Sequence, residues 1–237
     1  MNPDIDAVVF DLDGTLINLG GFVDWERAQE DVFKTYLDQG CEEGTVDACR
    51  AKGLWSILED MYRLNAGDHG ERKATDIQEA VYRTLSGYEE EGVQLCAKMP
   101  GCLEALEWLR DRCIPMGVCT RNSQTAAEKA LREQGIAHYF EAVVGCTTRH
   151  RTKPHPDQLL ECYRVLKVEP SRGVVVGDSH QDVIMGKTVG SYTIAVPMYF
   201  SSLEKMKDAG VDRVIDSLAE LPPALMDIYP INDAPSK

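Results

Sequence analysis

The chain is poor in positive charge. Its 237 residues include 25 Lys and Arg against 39 Asp and Glu, which gives a formal net charge of -14. Nucleic acids and anionic membrane surfaces attract clustered Lys and Arg. We therefore expect no nucleic-acid partner and no membrane partner. An anionic substrate would have to meet positive groups that are concentrated locally.

Long apolar runs and paired cysteines are also missing. No apolar stretch approaches the ~20 residues that a transmembrane helix needs. None of the eight cysteines forms a Cys-x-x-Cys pair that would indicate zinc or redox chemistry. The first six residues are acidic and lack the basic and apolar regions of a secretory signal peptide. We expect a cytoplasmic protein in which most cysteines are small buried hydrophobic residues.

The most informative feature that is present is the pair Asp11 and Asp13, directly after the apolar run Ala7–Phe10. Consecutive apolar residues predict a parallel strand that is buried on both faces. In open α/β sheets, ligands bind at the carboxyl ends of the strands, where this pair would lie. The alternative is an ordinary Asp-Gly turn, which the pair alone does not exclude.

The chain divides by pattern into a helical segment and an alternating segment. Residues 18–97 carry apolar residues at helical spacing and no convincing strand, and we call this segment the helical insert. After Pro100 and Gly101, helices alternate with short apolar runs, as in repeated βαβ units. We predict an α/β fold: a Rossmann-like three-layer core with a central parallel sheet, formed by residues 1–17 and 98–237. The acidic run 89–91 is predicted to be a solvated connection.

Polar residues follow four of the predicted strands, and this places them on one edge of the sheet. Each has a structural alternative: Thr120 as a helix cap, Lys153 as a surface lysine, and the later aspartates as loop or cap residues. Their shared position favours a single site. The groups concerned are Asp11 and Asp13, the run Thr120-Arg121-Asn122, the basic cluster around Lys153, and Asp178 with Asp182.

These segments resemble the four motifs of the haloacid dehalogenase superfamily, in the branch that contains phosphoglycolate phosphatases and related small-metabolite phosphatases. The resemblance covers nearly the whole chain, and the helical insert corresponds to the cap domain of that branch. Ser191 and the pair Thr188-Val189 depart from the usual residues after motif four. The matching segments are Asp11-Leu12-Asp13-Gly14-Thr15-Leu16, Thr120, Lys153-Pro154, and Gly177-Asp178-Ser179 with Asp182.

The resemblance implies a role for each residue. Asp11 would be the nucleophile that forms an aspartyl-phosphate, and Asp13 would be the general acid and base. Mg²⁺ would be held by Asp11, by Asp178 and by the backbone carbonyl of Asp13. Lys153 would neutralise the nucleophile and a phosphoryl oxygen, and Asp182 would orient Lys153 or a metal-bound water. The residues implied in phosphate or substrate binding are Gly14, Thr120, Arg121, Asn122 and Lys153.

The resemblance also implies a reaction class. Dehalogenases lack a second aspartate at the position of Asp13, so we expect a magnesium-dependent phosphatase acting on a small phosphorylated metabolite, either phosphoglycolate-like or a sugar phosphate. The alternatives are a sugar phosphomutase and a non-catalytic regulatory member of the fold. We expect a monomer or a homodimer. Arg50 or Lys52 would meet the leaving group, with a solvated insert surface as the alternative.

Overall fold

The computed structural model describes residues 5–50, 53–198 and 203–228. Its centre is a sheet of six strands, all parallel, in the spatial order β3-β2-β1-β4-β5-β6. The strands are β1 (Ala7–Phe10), β2 (Met116–Ser123), β3 (Ala142–Cys146), β4 (Gly173–Gly177), β5 (Tyr192–Ala195) and β6 (Arg213–Val214). The predicted α/β fold with a central parallel sheet is confirmed.

Ten α-helices accompany the sheet in the described part of the chain, and none of them is long and apolar enough to cross a membrane. The first four follow one another between β1 and β2, within the helical insert. They are α1 (Trp25–Asp38), α2 (Glu43–Arg50), α3 (Leu54–His69) and α4 (Glu71–Gly92). The others are α5 (Cys102–Asp111), α6 (Gln124–Glu133), α7 (Asp157–Leu166), α8 (His180–Thr188), α9 (Leu203–Asp208) and α10 (Leu221–Ile228).

Strand β1 lies at the centre of the sheet, between β2 and β4. All four of its residues are buried because both faces of the strand are covered. Val8 and Phe10 pack into one hydrophobic cluster, and Ala7 and Val9 pack into another on the opposite face. This arrangement explains why the apolar residues are consecutive rather than alternate.

The helical insert has a hydrophobic core of its own. Phe33 and Tyr36 of α1 pack with Ile57 of α3 and Ile77 of α4 in a cluster separate from those of the sheet. The helical spacing of these residues follows from this single buried face. Helix α4 also packs against α6 and β2, so it joins the insert to the sheet.

Two local predictions differ from the structure. The acidic run 89–91 belongs to the last turn of α4, and Glu89 is 0% exposed, so the predicted solvated connection is wrong there. The physical reason is that amide donors near the end of β2 bind its carboxylate. Strand β2 also continues past Cys119 to Ser123, so Thr120–Asn122 lie in the strand rather than after it.

Gly101, which caps helix α5, should not tolerate a side chain. Its φ is +77°, and an added Cβ would overlap the backbone of Ala219. We expect Gly101→Ala to lower the free energy of unfolding by about 3 kcal/mol or more, because overpacking of roughly 1–3 kcal/mol adds to the left-handed strain. Gly135, with φ of +70° and no heavy atom within 4 Å of its added Cβ, is the control. Gly135→Ala should cost only about 1–2 kcal/mol in urea unfolding; equal losses would contradict the steric account.

Candidate active site

A cavity of about 410 Å³ lies at the carboxyl edge of the sheet, between the strand ends and the helical insert. Strands β1, β2 and β4 each end at it, as expected for parallel strands. The insert contributes Trp25 of α1, and Leu54 and Trp55 of α3. The predicted site residues that line the cavity are Asp11, Asp13, Thr120, Arg121, Asn122, Lys153, Asp178 and Asp182.

Lys153 lies at the centre of this group. Its Nζ is 2.5 Å from Asp11 Oδ1 and 2.5 Å from Asp182 Oδ1, and its side chain is 3% exposed. Burial alone would lower its pKa, but the two carboxylates raise the pKa well above the usual range. Lys153 is therefore a buried cation rather than a surface lysine.

The two carboxylate oxygens of Asp182 make separate contacts. Its Oδ2 accepts hydrogen bonds from the backbone nitrogen of Ser179 (3.1 Å) and from Ser179 Oγ (2.6 Å), which completes a capping box at the start of α8. Its Oδ1 contacts Lys153. The helix-cap alternative and the predicted orientation of Lys153 are thus compatible, because each uses a different oxygen.

Three carboxylates converge at the cavity. Asp11, Asp178 and Asp182 each place one oxygen within 4.8 Å of the others. Burial, opposed by Lys153 and reinforced by Asp182, raises the pKa of Asp11 to about 6. Burial, followed by repulsion from Asp11 and Asp182, raises the pKa of Asp178 to about 8. Repulsion between the carboxylates contributes to both shifts, so Lys153 alone does not balance the negative charge of the cluster.

The donor set fits a hard divalent cation. Mg²⁺ prefers carboxylate and carbonyl oxygens and commonly retains waters. Both oxygens of Asp182 are engaged by Ser179 and Lys153, so Asp11 and Asp178 are the carboxylates that could hold the ion. Coordination of the ion by the backbone carbonyl of Asp13 stays a prediction.

Gly14 makes room for this arrangement. Its φ is +86°, and a Cβ at this position would overlap the Asp178 carboxylate. Its backbone nitrogen donates to the Ile17 carbonyl (2.7 Å). In this structure the loop after β1 therefore lies against Asp178, and the implied contact of Gly14 with phosphate stays a prediction.

Asp13 is held by the segment that leads into the helical insert. Its Oδ1 accepts a hydrogen bond from the Gly20 backbone nitrogen at 2.7 Å, and the Gly20 carbonyl accepts one from Trp25 Nε1 at 2.8 Å. Burial raises the pKa of Asp13, and the Gly20 hydrogen bond opposes that shift. The predicted acid and base is thus attached to the first turns of the insert.

The end of β2 brings a hydroxyl and a second cation to the cavity. Thr120 Oγ1 donates to Asn122 Oδ1 (2.9 Å) and accepts from the Asn122 backbone nitrogen (3.1 Å). The Arg121 guanidinium lies 4.8 Å from the centre of the Trp55 ring. Burial lowers the pKa of Arg121, while Asp182, Asp11 and Asp178 act in the opposite direction. Arg121 therefore reaches from the sheet to the insert.

The structure does not bring Arg50 to the site. Its guanidinium pairs with Glu30 (3.4 Å) and Asp47 (3.2 Å) and lies over the Phe33 ring. The solvated-surface alternative therefore describes its position better than contact with a leaving group does. Lys52 lies outside the described residues.

Sequence reasoning missed Gly20, the ring contact of Trp55 and the hydrogen bonds of Glu89. Only Trp55 had a signal, because it follows closely on Arg50 and Lys52, the residues expected to meet the leaving group. Gly20 acts through its backbone nitrogen and Glu89 through a carboxylate whose partners are distant in sequence, and residue type reveals neither contact.

A parallel α/β sheet with a buried Asp–Lys–Asp cluster at its carboxyl edge, under an inserted set of helices, defines a class of hydrolase. The haloacid dehalogenase-like hydrolase family model matches residues 8–196. The chain belongs to this family.

The names of similar proteins are consistent with this family. A phosphoglycolate phosphatase of Rhodospirillum rubrum is 31% identical and aligns over 91% of this chain and 88% of its own length. A pyrophosphatase PpaX of Bacillus mycoides is 24% identical over 93% of this chain and 97% of its own. The structure of CbbY from Rhodobacter sphaeroides in complex with phosphate is 25% identical, covers 92% of this chain and 96% of its own, and has a TM-score of 0.60.

The raised pKa of Asp178 predicts how metal and pH act on stability. A carboxyl group with a raised folded-state pKa contributes stability at low pH that is lost as the pH rises through its folded pKa, here about 8. Without metal, Asp178→Asn should therefore match the wild type near pH 4 and become progressively more stable than the wild type towards pH 8.

We expect Mg²⁺ at pH 8 to raise the Tm of the wild type by at least about 3 °C, equivalent to ~1 kcal/mol.

The exposed Asp208 provides a matched control for these melts. Asp208→Asn should follow the wild type at every pH and should keep the Mg²⁺ response. Two outcomes of the thermal melts would contradict the assignment of Asp178. One is a difference in stability between the wild type and Asp178→Asn that does not change with pH. The other is equal stabilisation of both proteins by Mg²⁺.

Proposed function

We propose that this protein is a Mg²⁺-dependent phosphatase that hydrolyses a small-metabolite phosphomonoester through an aspartyl-phosphate at Asp11. The observation that carries the proposal is the contact of Asp11 with buried Lys153 (2.5 Å), at a cavity that Asp13 and Asp178 also line. The name of the Rhodospirillum relative, a phosphoglycolate phosphatase, supports the same reaction class.

In the first step, an Asp11 oxygen attacks phosphorus and the bond from phosphorus to the leaving oxygen breaks. Asp13 donates its proton to that oxygen, and the upward shift of its pKa by burial favours the acid form that this needs. In the second step, Asp13 takes a proton from water, which attacks the aspartyl-phosphate and releases phosphate. Asp11 is thereby regenerated.

Positive charge makes these steps feasible beside several carboxylates. Lys153 contacts Asp11 and favours its ionised form, which is the form that attacks. Mg²⁺ held by Asp11 and Asp178 would offset the charge of the carboxylates and the phosphate dianion. An incoming phosphate oxygen would accept the hydrogen bond that the Thr120 hydroxyl donates to Asn122 Oδ1 in this structure.

The cavity also limits the substrate. Its volume of about 410 Å³ is near the small end of the roughly 300–1,000 Å³ typical of ligand sites. Arg121 supplies a cation that is separate from the Lys153 cluster. We propose that the substrate carries a second anionic group beside its phosphoryl group, as phosphoglycolate does. Pyrophosphate, suggested by the name of the Bacillus relative, is the competing substrate.

Removal of the nucleophile tests the reaction. Asp11→Asn should reduce phosphate release from p-nitrophenyl phosphate in Mg²⁺ by at least about 10³-fold, because an amide cannot form the acyl phosphate. Circular dichroism should show that the variant is folded, and Asp208→Asn should keep wild-type turnover. Near-wild-type release by Asp11→Asn would overturn the mechanism.

Replacement of Arg121 tests the substrate class. Arg121→Gln should raise KM for phosphoglycolate by about 10- to 100-fold, since a hydrogen bond to a charged group contributes ~1.5–3 kcal/mol. KM for p-nitrophenyl phosphate, which has no second anion, should change much less. Equal losses for both substrates would contradict recognition of a second anion by Arg121.

A substrate panel in Mg²⁺ separates the competing activities. We expect phosphate release from phosphoglycolate with higher kcat/KM than from pyrophosphate. An isomer of a hexose phosphate without free phosphate would instead indicate a phosphomutase. No turnover of any member would favour a non-catalytic role.

A further inference from the structure

Glu89 is a buried carboxylate that the proposed mechanism does not use. It lies in the last turn of α4, where the helical insert meets the sheet, and it is 0% exposed. Its Oε1 accepts a hydrogen bond from Asn122 Nδ2 at 2.9 Å, and its Oε2 accepts one from the Ser123 backbone nitrogen at 2.9 Å. Both oxygens thus bind the end of β2, the segment that also carries Thr120.

The contact with Asn122 determines which way its amide points. Because Asn122 Nδ2 donates to Glu89, Asn122 Oδ1 is left to accept a hydrogen bond from Thr120 Oγ1 at 2.9 Å. The orientation of the Thr120 hydroxyl therefore depends on a residue of the insert. A chain of two hydrogen bonds links Glu89 to the predicted phosphate-binding oxygen.

The contact with Ser123 fixes the same segment from its other end. Ser123 is the N-cap of α6, where its Oγ accepts from the Ala126 nitrogen, and it also contacts Ser86 Oγ of α4 at 3.0 Å. Helix α4 therefore holds both the backbone and the side chain of Ser123. This leaves little freedom for the end of β2 as long as Glu89 is in place.

The energetics indicate that Glu89 is there for these two donors. Burial of a carboxylate is costly unless hydrogen bonds replace its water, and without Glu89 the buried N–H groups of Asn122 and Ser123 would lose their acceptor. Burial raises the pKa of Glu89 to about 7, while the bonds from Ser123 and Asn122 oppose that shift. The ionised form is the one that can accept from both donors.

We infer that Glu89 is a positioning residue: from the helical insert it fixes residues 120–123, so that Thr120 Oγ1 is held in place for a phosphoryl group, whose oxygen replaces Asn122 Oδ1 as the acceptor of the Thr120 hydroxyl. The functional part of this inference rests on the proposed phosphatase activity. It is distinct from the roles of Asp11, Asp13 and Lys153, because Glu89 acts through Asn122 and Ser123.

A double-mutant cycle tests the coupling. In Glu89→Gln, one carboxylate oxygen becomes an NH₂ group, so two N–H donors would face each other. We therefore expect kcat/KM for p-nitrophenyl phosphate to fall by about 10- to 100-fold. The affinity for inorganic phosphate with Mg²⁺, measured by calorimetry, should fall as well. In a Thr120→Val background the same change should alter kcat/KM by less than about threefold, because the group being positioned is gone.

Glu91→Gln is the matched control, since Glu91 has the same residue type in the same helical turn but is exposed. It should retain wild-type kinetics and phosphate affinity. If Glu89→Gln lowers kcat/KM equally with and without Thr120, its effect is general destabilisation and the inference is overturned. Wild-type kinetics in Glu89→Gln would overturn it too.

Hydrogen exchange gives a readout that is independent of activity. Glu89→Gln should speed amide exchange in the peptide spanning residues 119–126, whereas Glu91→Gln should not. Glu89→Asp, which keeps the charge but shortens the reach, serves if Glu89→Gln melts too low for study. If the wild type releases no phosphate, the proposed function fails. The exchange result then decides by itself whether Glu89 fixes residues 120–123, and unchanged exchange in Glu89→Gln would overturn that part of the inference.

Discussion

The buried ion pairs of Lys153 with Asp11 and Asp182 are the interaction on which the site depends. They join the end of β1, the loop before α7 and the first turn of α8, which lie far apart in sequence. A buried cation needs both partners, because the loss of one from such a pair typically costs ~3–5 kcal/mol through the charge left behind. Asp182 couples this cluster to the fold, since its other oxygen caps α8.

The same cluster leaves an excess of negative charge at the edge of the sheet. Lys153 engages Asp11 and Asp182, but Asp178 and Asp13 have no comparable cation in contact among the described residues, and their pKa values rise through burial. A site arranged only for stability would not gather these groups. Clustered carboxylates with shifted pKa values are instead typical of sites that bind cations and move protons.

The sequence was sufficient to predict what depends on repeating patterns. Four consecutive apolar residues before Asp11 predicted a parallel strand buried on both faces, and polar residues after strands predicted the edge where the site lies. Patterns could not reveal contacts between distant groups. The acidic run that contains Glu89 looks solvated because its partners, Asn122 and Ser123, are more than thirty residues away. Arg50 looked like a substrate contact because nothing in the sequence shows that Glu30 and Asp47 engage it.

The helical insert takes part in the site through contacts with separate reactive segments. Its leading segment binds Asp13 through Gly20, its helix α3 places Trp55 against Arg121, and its helix α4 binds Asn122 through Glu89. These contacts differ in strength, because only the Glu89 contact is fully buried and made by a carboxylate with two N–H donors. If the insert moved, the contact of Trp55 with Arg121 could be lost at little cost in free energy. Movement at Glu89 would instead leave a buried charge without its N–H donors. We therefore expect the contacts of the insert near α3 to change more easily than those at the end of α4.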